Sequence, residues 1–88
     1  MNQWEYLRLG VGWSTDEKVG VSKISANRKT VFDYDTENQD KKKGEEKNLF
    51  NLIEYIDNLG KEGWELVNVF TWGNGWGEVY YFKRSLKN

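Results

Sequence analysis

The apolar positions of this chain change their period along its length, and each change marks an element. Within residues 48–62, Leu49, Leu52, Ile53, Ile56 and Leu59 recur at steps of three and one, which sets them in one stripe of a 3.6-residue helix. Asn48 stands where an N-cap is expected, with Glu45 and Glu46 just upstream, at the positive end of the helix dipole. Gly63 fits the left-handed position that ends a helix. Gly60 then falls in the last turn, where its missing side chain lets a sheet come close; Phe50 and Tyr55 lie off the stripe. After Gly63 the period becomes two: Trp64, Leu66, Asn68, Phe70 and Trp72 on one side, Glu65, Val67, Val69 and Thr71 on the other. Both sides are apolar at their centre, unlike a strand with one wet face, so the sheet calls for cover beyond the helix.

Further strands read from the same alternation. In residues 4–11, Leu7, Leu9 and Val11 share one face and Trp4, Tyr6 and Arg8 the other. Residues 19–25 and 29–35 form a hairpin about Ala26-Asn27-Arg28, where Asn27 tolerates positive φ but no glycine follows it. Residues 36–47, TENQDKKKGEEK, contain no hydrophobe and read as a mobile, charged loop. A glycine-rich connection, Trp72-Gly73-Asn74-Gly75-Trp76-Gly77, leads to a last strand with Val79, Tyr81 and Lys83 on one face and Tyr80, Phe82 and Arg84 on the other. The fold expected is a single α+β domain over residues 1–88, one helix packed on one face of an antiparallel sheet, in the order β-β-β-α-β-β.

Composition narrows the function. Eighty-eight residues support one core with a thin stability margin. The absence of Cys and His removes disulfides, thiolate metal sites, the usual general base and the commonest metal ligand. With 13 basic and 14 acidic residues, the net charge of −1 argues against a dedicated DNA or RNA binder. The run Lys41-Lys42-Lys43 is flanked by Asp40, Glu45 and Glu46 and reads as a solvated segment. No apolar run approaches membrane-spanning length and MNQWEYLRLG lacks a signal-peptide pattern, so a cytoplasmic protein without a membrane span is expected. Aromatic residues make up 16% of the chain, five of them Trp; such rings either build the core or present a surface.

Three segments together resemble the short bacterial and phage proteins of domain of unknown function 4177: the early strand WEYLRL, the helix end LGKEGWELVNV and the closing YYFKRSL. The resemblance covers the first strand and residues 48–86. Residues 13–35 then look like an inserted β-hairpin, followed by the charged loop of 36–47. The resemblance implies one helix against an antiparallel sheet and brings no activity or catalytic residues with it.

Candidate site residues follow from residue chemistry. Trp72 and Trp76, on a flexible glycine loop, could sandwich a base or sugar; the alternative is an aromatic pair clamping a hairpin end. Arg8, Lys83 and Arg84, with Tyr80 beside them, could hold a phosphate or carboxylate if the first and last strands are neighbours; the alternative is charges that guard a sheet edge. Asp33 and Asp35 share a strand face but lack the further oxygen ligands of a metal site, and Glu62 and Glu65 have no catalytic companions. No cofactor, metal or catalytic residue is expected. The rings Trp4, Tyr6, Trp64, Phe70, Tyr80 and Phe82 exceed what one helical stripe can cover, which places Trp4, Tyr6, Phe70 and Phe82 at an interface between copies of the chain. The reading is a non-enzymatic, homo-oligomeric binder of a small nucleotide-like ligand in an aromatic and cationic pocket at subunit interfaces, a plan shared with phage proteins that sequester signalling nucleotides. The alternative is a protein–protein interaction module or inhibitor that uses its aromatic sheet face.

Overall fold

Apolar residues at every second position make the first strand the centre of the fold. In the computed structural model, which describes residues 3–86, strand β1 (Trp4–Trp13) buries Leu7, Leu9 and Val11 on one face. It pairs with β2 (Val21–Ala26) on one side and β5 (Gly77–Ser85) on the other; β3 (Lys29–Asp33) and β4 (Glu65–Trp72) form the edges. The sheet order is β3-β2-β1-β5-β4 and every pairing is antiparallel. The α+β class and the β-β-β-α-β-β order therefore hold. One element is added: a short helix α1 (Tyr34–Glu37) between β3 and the main helix α2 (Leu52–Lys61).

The start of α2 corrects the sequence reading. The cap is Asn51, whose Oδ1 accepts from the Glu54 amide at 3.0 Å. Asn48 serves another purpose. Buried Asn38 accepts from the Asn48 amide at 2.7 Å and donates to the Asn48 carbonyl at 3.0 Å and the Tyr34 carbonyl at 2.9 Å. One side chain thus ties together the two ends of the charged loop. With the helix starting late, Leu49 and Ile53 are exposed, and Leu52, Tyr55, Ile56 and Leu59 form the packing face.

The helix ends as Gly63 requires. At φ +92° it lets its own amide donate to the Gly60 carbonyl and the Trp64 amide donate to the Leu59 carbonyl, each at 3.0 Å. These two bonds satisfy the last helix carbonyls and turn the chain into β4. Gly60 does not admit the sheet, because a Cβ built there meets nothing within 4 Å.

Helix α2 covers the face carrying Leu7, Leu9, Val11, Ile24, Phe32 and Phe82, with Trp64 and Tyr80 packed beside them. The opposite face, here the open face, has no helix on it among the described residues. Strand β4 changes sides at a bulge: Leu66 pairs with Phe82, but the next partners are Asn68 and Tyr81, leaving Val67 over. Leu66 therefore shares the helix face with Val69 and Thr71, while Asn68, Phe70 and Trp72 point to the open face. An unbroken alternation put Leu66 with Phe70; the extra residue undoes that. The rings divide accordingly. Tyr80 and Phe82 face the helix, and Phe82, at 2% exposure, belongs to the core and not to any interface between copies. Trp4, Tyr6 and Phe70 stand exposed on the open face. Among the described residues no helix is long and apolar enough to cross a membrane.

Candidate ligand site

The open face has a glycine floor. Gly12 of β1 lies opposite Gly77 of β5, which lies opposite Trp72 of β4. With no side chain at Gly77, the Trp72 indole lies flat across the strand: a Cβ built on Gly77 would fall 2.1 Å from the indole Cε2. Next along β1, Gly10 faces Ser25, whose Oγ would be 2.8 Å from a Cβ at that position. The result is a trough of ≈ 480 Å³. Gly10 and Gly12 are at its base, Trp72 at one side, and Arg8, Lys23, Arg28, Ser22, Ser25 and Thr30 around the rest.

The cations of this trough are held by backbone geometry. β2 and β3 are joined by the two-residue turn Asn27-Arg28, with φ +49° and +71°. Such a turn favours glycine at its second position, and here that position holds an arginine that lines the trough. Asn27 fastens the turn to β1: its Oδ1 accepts from the Arg8 amide at 2.8 Å and its own amide donates to the Arg8 carbonyl at 2.8 Å. Arg8 and Arg28 are thereby brought to the same end of the sheet. Lys23 follows one strand over. Asp33, its ladder partner, is engaged elsewhere, since its Oδ1 accepts from the Asp35 and Thr36 amides at 3.1 and 3.4 Å and caps α1. The one ion pair among the described residues joins Arg84 and Glu5. Among the described residues no carboxylate therefore lies within 4.0 Å of the charged nitrogens of Arg8, Lys23 or Arg28, nor does any line the trough.

The structure separates residues that the sequence reading had grouped. Arg8 and Trp72 meet at the trough. Trp76 does not: it turns back over Gly73, and its carbonyl accepts from the Trp13 amide at 2.8 Å. The two tryptophans form neither a sandwich nor a cross-strand pair, because the ladder partner of Trp72 is Gly77. Lys83 shares the open face, its Nζ 4.5 Å from the centre of the Trp4 ring. Arg84 is on the helix face, where it pairs with Glu5, donates to the Glu62 carbonyl at 3.1 Å and lies 4.3 Å over the Trp64 ring. It clamps the helix end to the sheet and cannot share an anion with Arg8. Tyr80 also faces the helix. Its hydroxyl donates to Glu78 at 3.1 Å; burial, then that bond and the Glu78 charge, raise its pKa. Asp33 and Asp35 are a cap and a helix residue, not a carboxylate pair.

Lys23, Arg28, the three hydroxyl residues and the floor glycines were not foreseen as site residues. One signal was present in the sequence: a hairpin turn that keeps Asn but puts Arg where glycine is the relaxed choice. No family model, curated protein or solved structure matches the chain, so its resemblance to domain of unknown function 4177 rests on the three segments alone.

Proposed function

We propose that the protein is a non-enzymatic binder of a small anion bearing a flat ring, with nucleotide-like molecules as the class that fits. One observation carries this reading. Three cations without carboxylate partners among the described residues and an exposed indole border a single glycine-floored trough. A phosphate set between Arg8, Arg28 and Lys23 gains charge-assisted bonds that the described residues leave unmade. A ring laid against Trp72 gains stacking without needing a particular base. Ser22, Ser25 and Thr30 supply hydroxyls for a sugar or the remaining phosphate oxygens. The volume is within the range of about 300–1,000 Å³ usual for small-ligand sites.

The test is calorimetry with nucleoside monophosphates, cyclic dinucleotides, inorganic phosphate and uncharged nucleosides. Nucleotides are expected to bind, and each half-ligand more weakly. Arg8→Ala should remove about 1.5–3 kcal/mol, as loss of a charged hydrogen bond does, and Trp72→Ala about 1–3 kcal/mol of stacking. Trp76→Ala should leave affinity unchanged. Equal binding by wild type, Arg8→Ala and Trp72→Ala, or no preference for phosphate over the bare nucleoside, refutes the reading.

A further inference from the structure

We infer that β4 pairs antiparallel with β4 of a second copy of this chain about a twofold axis, joining two five-stranded sheets into one of ten. The two edges of the sheet differ in kind. β3 is five residues long, carries Lys29 and Asp33 at its ends and runs straight into α1. Such an edge is short and charged, as edges that avoid pairing are. β4 is eight residues long, exposed throughout, and charged only at Glu65. Leu66, Val67, Val69, Phe70 and Trp72 are 37–55% exposed. Neither lysine nor proline interrupts it. A long, apolar, uncovered edge is a template for another strand.

Surface area says how much is left to cover. A compact monomer of this mass exposes about 5,400 Å²; this chain exposes 6823 Å². Its radius of gyration is 15.1 Å, against about 12 Å for a compact domain of its length. The excess area of roughly 1,400 Å² exceeds the ~800 Å² per partner that a standard interface buries.

The occupant follows from the residues. Val69 on the helix face and Phe70 and Trp72 on the open face are exposed together. A body packed on one face would cover half of them, whereas a neighbouring strand with apolar side chains on both sides covers all. Among the described strands β4 itself is that strand, and a twofold axis makes it self-complementary. Antiparallel pairing sends the two Glu65 carboxylates to opposite ends of the ladder, so the strand's own charge does not oppose it. The bulge, and Asn68 Oδ1 accepting from the Val69 amide at 2.8 Å, break the regular edge in its first half. The axis accordingly lies near Phe70. Both troughs then open on the same side of the joined sheet, each with its Trp72 on the strand that forms the seam.

Native mass spectrometry and sedimentation velocity of the full chain test this directly. The wild type is expected at the mass of two chains, or an even multiple. Val69→Lys combined with Phe70→Lys should halve that mass while the far-ultraviolet circular dichroism stays native, because neither side chain belongs to the core. Val31→Lys, on the β3 edge, should leave it unchanged. The chain has no cysteine, so Phe70→Cys under mild oxidation should give a disulfide-linked pair and Val31→Cys should not. A wild type that stays at one chain's mass overturns the inference. So does a double-lysine variant that keeps its partner, or crosslinking through residue 31 in place of 70. Should the double-lysine variant unfold, the cysteine pair of results decides.

Discussion

Gly77→Ala should evict a tryptophan from the sheet, and the size and sign of the effect follow from the geometry. The new Cβ would sit 2.1 Å from Cε2, 2.2 Å from Cζ2 and 2.6 Å from Nε1 of Trp72, so the indole cannot keep its place. It is already 53% exposed and free to swing outward. About half of a tryptophan's surface, roughly 100 Å², then returns to water, at a cost of about 2.5 kcal/mol. Alanine in a strand recovers about 0.5–1 kcal/mol over glycine, which leaves a net loss of about 1.5–2 kcal/mol. Urea titration followed by circular dichroism measures it. The decisive arm is the same substitution in a Trp72→Ala background. With no indole to displace, Gly77→Ala should stabilise by about 0.5–1 kcal/mol. A reversal of sign between backgrounds is the signature of the Trp72–Gly77 contact. Destabilisation of equal size in both would refute it, and would place the strain in the β5 backbone instead. Ligand affinity gives a second readout: Gly77→Ala should weaken binding as Trp72→Ala does, although residue 77 does not line the trough.

Three further outcomes are expected. Asn38→Ala removes the bonds to both Asn48 backbone groups and to the Tyr34 carbonyl and should cost about 2–3 kcal/mol in a denaturant titration; a loss below experimental error would mean that the loop ends are held by other contacts. Gly60→Ala, at a helical position with nothing within 4 Å of the new Cβ, should stabilise by about 0.5–1 kcal/mol, and a lowered midpoint would contradict the open space there. Burial and Glu62 raise the Tyr55 pKa, and burial and Glu78 raise that of Tyr80. The stability linked to these protonated phenols is fully present below about pH 10, the unfolded value. It is lost as pH rises through the higher native values. Melting temperatures across alkaline pH should fall less steeply for Tyr80→Phe than for wild type, and parallel curves would rule the linkage out.

How far the sequence could be read depended on whether periodicity ran unbroken. The first and last strands keep strict alternation, and their faces were legible residue by residue: Leu7, Leu9 and Val11 in, Trp4, Tyr6 and Arg8 out. Gly63 announced its helix stop because no other residue occupies φ +92° without strain. β4 failed because one extra residue at the bulge reverses every later side chain, and nothing in Leu66-Val67-Asn68 marks it. The helix start failed because Asn48 and Asn51 are both good caps. The choice between them is made by Asn38, ten residues before Asn48, through contacts that periodicity does not see. Of the site, Arg8 and Trp72 were legible as residue types. That Arg84 faces the helix while Arg8 faces the trough was also readable from strand parity, once the two strands pair antiparallel. What could not be read was the hairpin's docking beside β1, which brings Lys23 and Arg28 to the glycines.

That docking sets up a conflict between stability and binding at one residue. The floor and the ring come from β1 and β4, and most of the rim comes from the β2–β3 hairpin: Ser22, Lys23, Ser25, Arg28 and Thr30. The join is the Asn27-Arg28 turn, fastened to Arg8. Arg28 holds φ +71°, a conformation that costs a non-glycine residue roughly 1 kcal/mol. A turn selected for stability alone would carry glycine. Arg28→Gly should therefore raise the unfolding free energy by about 0.5–1 kcal/mol and, by removing one of the three trough cations, weaken nucleotide binding by about 1.5–3 kcal/mol. The two measurements move in opposite directions only if the arginine is kept for its charge at that place. A stabilised variant that binds as tightly as wild type would leave Arg28 without a role in the trough, and the ligand reading would lose one of its three anchors.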